Sequence, residues 1–511
     1  MQIVHNASQT GFVAFWASRP FAIVALVGSA YLAVLCWFAQ GLYPDPFFGG
    51  AIYDGYYHAI LNGHFDLPPR LLRFEGHYTP DAQGYLYHGA GPLLLRFLFG
   101  WAWPFEWITM AGFSIWFWTA LGTLGYQVAL KDLIAQTATP VQRNAQGWAV
   151  FFAAALWVCG PATLLVVNQS LYHEPIALAY GAAGAFVAVW VRFSQDKLHP
   201  LLACSVLALC AAITVHARPN LAIGLYVALT ALCGWNVIKH GVRLLLPALV
   251  AGAILGAGGL LYLGLNTLRF GGAAEVHGSF EASETQYGTV FWGIEPQDSP
   301  RAQAFTEHGR FSVRRIPPNA GLYAFDLPAL ELTHRSSMAM YNLFQKATQD
   351  RLGYIRVEGP RYGLLWLWPI WLSFAVVGLA QLRRAEHLVL AAGLLVGVLV
   401  TLAYGTITLR YRFDLWPLVA FLSFHGISRV LPGFSNGHQP GFFKRLVFAG
   451  ALMGTTVTAM AAFQYTALFR EIEGSFFAPW SNGYCINLAE GAGLPSNQIS
   501  VICRAPTELK G

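Results

Sequence analysis

Long apolar runs separated by short polar turns are the dominant pattern of this chain, and the runs are too long for strands. A helix needs about 20 apolar residues to cross a bilayer, and by that measure about 11 runs qualify. They lie roughly at 21–42, 107–130, 147–167, 175–193, 199–216, 219–236, 244–265, 362–381, 387–405, 415–431 and 446–466. The apolar stretch 91–104 is shorter and carries Arg96, so it reads as a helix lying at the interface rather than a span. The expectation is therefore an all-α integral membrane protein. Its transmembrane domain is 1–466, with polar segments at 43–106 and 267–360 forming a cap and a tail at 467–511. The Gly252/Gly256 spacing reads as a helix-packing device.

Composition sharpens this picture. The chain is 56% hydrophobic and 11% charged, against roughly 25% charged in soluble domains. The net charge of +6 is dispersed among short loops, which excludes a nucleic-acid partner and instead sets orientation. With the N-terminus inside, the inner loops hold Lys131 and Arg143, Arg192 and Lys197, Lys239 and Arg243, Arg383 and Arg384, and Arg429, Lys444 and Arg445. The same arithmetic places 43–106, 168–174, 216–220, 267–360, 406–416 and the tail outside. The localisation expected is a cytoplasmic (inner) membrane, with the active site on the extracytoplasmic side. The first 18 residues carry no cleavable signal pattern. Five cysteines lie in apolar runs. Cys485 and Cys503 stand in the tail, a candidate disulfide if the tail meets an oxidising compartment. No Cys/His spacing suggests zinc.

The polar residues at the outer ends of the spans are Asp54, Glu75, Asp81, His173, Glu174, Arg218, Arg410, Arg412 and Asp414. Ionisable groups near a membrane are costly and tend to be paired or functional. Arginines bind a lipid phosphate bidentately, and a carboxylate takes a proton from an incoming hydroxyl. Arg218 and Arg410, with Arg269 beside them, are the candidate phosphate ligands. His88, next to Gly89 and Gly91, is a candidate for sugar or phosphate. Tyr56, Tyr57 and Tyr85 are candidate sugar-stacking rings, with His173 as a further substrate contact. Each has a plainer reading: an N-cap for Asp54, a dipole partner for Glu174, snorkelling anchors for the arginines and an interfacial belt for the aromatics. Glu75 and Asp81, flanking Gly76-His77-Tyr78, fit a solvated hairpin tip equally well.

With these residues in view, the chain resembles the GT-C class of polytopic glycosyltransferases, which use polyprenyl-phosphate-linked sugars at the outer membrane face. Four stretches carry the resemblance, in an order the class shares, over residues about 20 to 430. They are Tyr53-Asp54-Gly55-Tyr56-Tyr57 with the run from Gly84 to Pro92; Arg218-Pro219-Asn220; Asn266 to Gly271 with Glu275 and Gly278 after it; and Arg410-Tyr411 followed by Pro417. The resemblance implies Asp54 as catalytic base and Glu174, in the turn Tyr172-His173-Glu174-Pro175, as a second acidic site. It implies segment 267–360 as the outer cover and acceptor region. Some relatives hold a divalent metal with such acidic pairs and others need none. This chain lacks an Asp-x-Asp at either place, so no cofactor is expected as a requirement and a divalent metal stays open. The expected partners are a polyprenyl-phosphate-linked sugar donor, a glycan, lipid or protein acceptor, and the bilayer. The expected reaction inverts the anomeric carbon. Two other classes remain: a lipid or lipid-linked-glycan flippase, against which the absence of pseudo-symmetric halves counts, and a non-catalytic glycan-assembly partner.

Overall fold

The computed structural model of the chain describes residues 19–42, 44–137, 143–275, 278–435 and 441–503. The side chain of Arg143 and the tail residues 504–511, both used above, lie outside the described residues. A helix or a broken helix stands at each of the expected spans, from Arg19–Gly41 to Gly441–Leu468. Among the described residues, seven stretches are long and apolar enough to cross a membrane, one of them the 52-residue run Pro219–Phe270 that holds two helices. The protein is a multi-pass, predominantly helical membrane protein, but the figure of about 11 crossings is not established. Two of the expected spans fold as Pro200–Val215, of 16 residues, and Pro369–Leu379, of 11. Both start on proline, which is tolerated in a first helical turn and interrupts a run elsewhere.

Close helix pairs are made by glycine. Ala111–Thr137 packs along His173–Phe193, and a Cβ on Gly125 would lie 2.5 Å from the Gly184 carbonyl carbon. Only a residue without a side chain permits that approach. Gly252 and Gly256, expected to do the same, meet nothing within 4 Å, so their face is not a packing seam within this chain.

The polar segments are knitted together at one end of the bundle. A four-stranded antiparallel sheet runs in the order Asp66–Leu67, Gly84–Leu86, Gly76–Tyr78, Gln286–Tyr287. Its last strand comes from the 267–360 segment and its others from the first loop. A second pairing, parallel, joins Arg356–Val357 to Thr406–Ile407. The tail is stitched to the first loop. Arg470 Nη1 donates to the Asp45 carbonyl at 2.7 Å, Arg73 Nη1 to Phe477 O and Ala478 O at 2.9 and 2.8 Å, and Arg70 Nη2 to Trp480 O at 2.9 Å. Cys485 and Cys503 are joined as a disulfide. The helix Leu93–Phe99 leaves Phe97, Leu98 and Phe99 exposed, which suits a helix with one face in lipid.

Candidate functional site: an arginine-lined cavity at the capped end

Asp54 sits in the first turn of the helix Ile52–Leu61, which Ala51 precedes without a side-chain cap. Its carboxylate does not cap that helix. Arg96 Nε donates to Asp54 Oδ1 at 2.8 Å and the Met110 amide donates to Oδ2 at 3.3 Å. The same guanidinium reaches Glu174: Nη1 to Oε1 at 2.5 Å and Nη2 to Oε2 at 3.2 Å. Arg96 is fully buried, and Asp54 and Glu174 are nearly so. Burial pushes the Asp54 carboxyl up to about 6; Arg96 pulls against this and Glu174 adds to it. One cation therefore holds two carboxylates in a sealed interior.

A cavity of about 480 Å³ opens at the capped end of the bundle. Five arginines line it, Arg218, Arg269, Arg301, Arg356 and Arg410, against two glutamates, Glu75 and Glu358. Six tyrosines complete the wall: Tyr87, Tyr172, Tyr262, Tyr287, Tyr404 and Tyr411. The arginines arrive from helix ends and from the cap. Arg218 immediately precedes Pro219, the first residue of its helix, and Arg269 lies in the last turn of Leu245–Phe270. Arg410 stands in the 3-10 turn Leu409–Leu415, and Arg301 and Arg356 come from the 267–360 segment.

Each cation has a distinct arrangement. Arg218 pairs with Asp414, its Nε at 3.1 Å from Oδ1, and Asn220 Nδ2 steadies the same carboxylate at 2.9 Å. Its guanidinium also lies 4.8 Å from the Tyr411 ring centre. Arg410 Nη2 is 2.9 Å from Glu358 Oε2 and its guanidinium lies 4.2 Å from the Tyr172 ring centre. Arg356 Nε approaches the other oxygen of Glu358 at 3.1 Å. Arg301 Nε donates to Glu295 at 3.0 Å. Arg269 instead binds backbone: Nη1 donates to Leu86 O at 2.9 Å and to His88 O at 3.2 Å, while Nη2 donates to Asn266 Oδ1 at 2.8 Å. It fixes the strand that carries Tyr87 and His88 into the wall.

Glu75 accepts a hydrogen bond from Tyr87 Oη at 3.0 Å and lies 3.8 Å from His88 Nε2. That last separation makes a through-space contact rather than a hydrogen bond. Burial pushes the Glu75 carboxyl up, but His88, Tyr172 and Arg410 outweigh it and leave it below the ordinary range. Burial holds the His88 imidazole below its ordinary value despite Glu75.

The structure brings four of the singled-out residues together: Arg218, Arg269, Arg410 and His88 all line the cavity. Asp54 and Glu174 are joined to each other through Arg96 and do not line it. Tyr56, Tyr57, Tyr85 and His173 are not among its lining residues either. Tyr56 is fully buried, Tyr57 packs edge-on against Phe97 at 5.5 Å, and the Tyr85 hydroxyl turns to Gln83 Oε1 at 2.9 Å. His173 is fully buried, with Nδ1 3.1 Å from Leu165 O. Glu75, for which a solvated hairpin tip fitted as well as a functional role, is walled in by Tyr87, His88 and Tyr172. Among the described residues no three His, Cys, Asp or Glu side chains converge as a metal site needs. The space between Asp54 and Glu174 is filled by a guanidinium, which repels a cation, so these residues do not fit a resident divalent ion.

No protein-family model matches the chain, and no curated protein sequence matches it. Solved structures are similar in the course of the chain. The Archaeoglobus fulgidus oligosaccharyltransferase in its apo form matches with a TM-score of 0.48 at 12% identity. The oligosaccharyltransferase AglB of the same organism, in complex with an inhibitory peptide and a dolichol-phosphate, matches with a TM-score of 0.47 at 11% identity. In both matches 89% of this chain and 56% of the other are covered, so this chain spans a little over half the length of those proteins. The site described here rests on its own geometry.

Proposed function

We propose that this protein transfers a sugar from a polyprenyl-phosphate donor to an acceptor hydroxyl at the outer face of a cytoplasmic membrane, as the GT-C class does. The observation that carries the reading is the cavity itself. Five guanidinium groups and two glutamates surround an open volume at the end of an apolar helix bundle. A lipid carrier presents an anionic head on an apolar chain, and this site offers the matching pair of surfaces. Arg218 and Arg410, stacked on Tyr411 and Tyr172, hold the phosphate and stabilise the charge that grows on it as the bond to the sugar breaks.

In this reading Glu75 takes the acceptor's proton as its oxygen bonds to the anomeric carbon, and the lipid phosphate leaves with the bonding pair. One displacement inverts that carbon. A second assignment of the base is favoured by one observation: the Asp54 carboxyl, pushed up to about 6, is closer to the pKa a general base wants near neutral pH.

Mass spectrometry of lipid-linked sugars and envelope glycans, with and without the gene, tests the reading. Loss of one sugar from the glycan, with its lipid-linked form accumulating, is expected. Complementation with Glu75→Gln should fail at normal protein level. If Glu75→Gln complements and Asp54→Asn does not, the base is Asp54. If both complement fully, the enzymatic reading is wrong and a scaffold or flippase takes its place.

A further inference from the structure

The arginines of the cavity are not equally neutralised. Arg218 has Asp414 and Arg301 has Glu295, one carboxylate each. Arg269 is taken up by carbonyl oxygens and Asn266. At Glu358 the ratio changes, because one carboxylate bridges two guanidiniums, Arg356 at 3.1 Å and Arg410 at 2.9 Å. The bridge faces the cavity: all three residues line it, and the Glu358 side chain is 21% exposed. Glu358 is delivered by the 267–360 segment, and its amide donates to Ile407 O at 2.9 Å beside the parallel pairing of Arg356–Val357 with Thr406–Ile407. Its backbone is therefore anchored beside the cavity. The carboxylate bridges the two guanidiniums, one oxygen to each, in the place between them that an anionic phosphate would take.

We infer that Glu358 is an internal competitor for the ligand's phosphate, and that it sets the preference of the site between the two charge states of a lipid carrier. The inference rests on the reading of the cavity as a lipid-phosphate site. A sugar-bearing polyprenyl phosphate is a phosphodiester with one negative charge. The released carrier is a phosphomonoester with about 1.5 to 2 charges at neutral pH, judged from other phosphomonoesters. A carboxylate held beside the arginine pair repels the second species more than the first. Glu358 thus weakens the hold on the product and lets donor replace it.

The test is binding of a polyprenyl monophosphate, a polyprenyl phosphodiester and the uncharged polyprenol to purified full-length protein in detergent. Wild type, Glu358→Gln and Glu358→Ala are compared, with the unliganded melting temperature as a check on folding. Wild type should bind the monophosphate and not the polyprenol. Glu358→Gln should tighten monophosphate binding roughly tenfold and phosphodiester binding by roughly threefold or less, given the strength of close charge pairs at a partly open site. Glu358→Ala should act in the same direction. Unchanged or weaker monophosphate binding in a folded variant overturns the inference, because Glu358 would then be orienting the arginines rather than competing. Equal tightening for both phosphates overturns the selectivity. If wild type fails to separate monophosphate from polyprenol, the reading of the cavity falls and the inference with it.

Discussion

Two ion networks at the capped end of this molecule use the same chemistry in inverse proportion. In one, a single guanidinium, Arg96, lies between two carboxylates, Asp54 and Glu174. In the other, a single carboxylate, Glu358, lies between two guanidiniums, Arg356 and Arg410. The first is sealed, with Arg96 fully buried. The second opens on the cavity, and its Arg356 side chain is 37% exposed. The difference separates architecture from ligand binding. Burial raises the Asp54 carboxyl, with Glu174 adding to the effect against the pull of Arg96, whereas an open surplus of positive charge draws an anion.

The largest way to break the comparison is to remove each central partner. Arg96→Met strands two buried carboxylates, and breaking a buried pair costs about 3–5 kcal/mol. Arg356→Met leaves Glu358 paired with Arg410 and should cost no more than ~1 kcal/mol. Thermal unfolding in detergent reads both. Similar losses in the two variants would mean that the networks are not distinct in kind.

Function should respond in the opposite sense. On the proposed function Arg410→Ala removes a donor to the leaving phosphate, and such losses are about 10²–10³-fold in turnover. The variant should fold, because Arg356 still neutralises Glu358. Rates of sugar transfer at matched protein level check this. A drop confined to KM would place Arg410 in binding alone.

The pH response sharpens the contrast further. The Asp54 carboxyl is raised from 3.8 to about 6 in the folded chain, first by burial. The folded state therefore holds this proton more tightly than the unfolded state does. The associated stability is fully present below pH 3.8 and is lost as pH rises through about 6. The displacement corresponds to roughly 3 kcal/mol. Asp54→Asn has no proton to lose, and Arg96 keeps Glu174. The wild-type melting temperature should fall relative to that of Asp54→Asn between about pH 4 and pH 6.5. Parallel curves across that window would show that Asp54 is ionised throughout.

Much of this was legible in the chain and some was not, for physical reasons. Hydropathy is a property of each residue and bilayer thickness sets helix length, so the positions of the helices could be read directly. The arginines at 218, 269 and 410 stood out because a cation at the end of an apolar run is costly enough to need a purpose. Arg96 was noticed only as a charge interrupting an apolar stretch. Its partners are 42 and 78 residues away, and nothing local announces them. For Glu75 a solvated turn and a functional role stayed equally open, because its neighbours are polar. The strand Gln286–Tyr287, which pairs with Gly76–Tyr78, comes from about 200 residues further on and helps bury it. The rings of the wall were missed for a related reason. In a chain that is 15% aromatic, composition does not say which tyrosines share a cavity.

A third cluster, at the opposite end of the helix that begins with His173 and Glu174, supplies the smallest and most discriminating test. There Asp132 accepts from Arg192 Nε at 2.9 Å and from Lys197 Nζ at 2.8 Å, again one carboxylate for two cations. With Lys131 also close to this carboxylate, the positive charge around it is no less than that around Glu358, yet none of these residues lines the cavity. If surplus positive charge alone made a phosphate site, this cluster would be one. The Lys197 side chain is 35% exposed, and a pair so open to solvent contributes about 0.2–1 kcal/mol. Lys197→Ala should lower stability by no more than that and leave polyprenyl monophosphate binding unchanged, in contrast with Arg410→Ala. Loss of binding in Lys197→Ala would mean that net charge, and not the enclosed volume between Arg218, Arg356 and Arg410, selects the ligand.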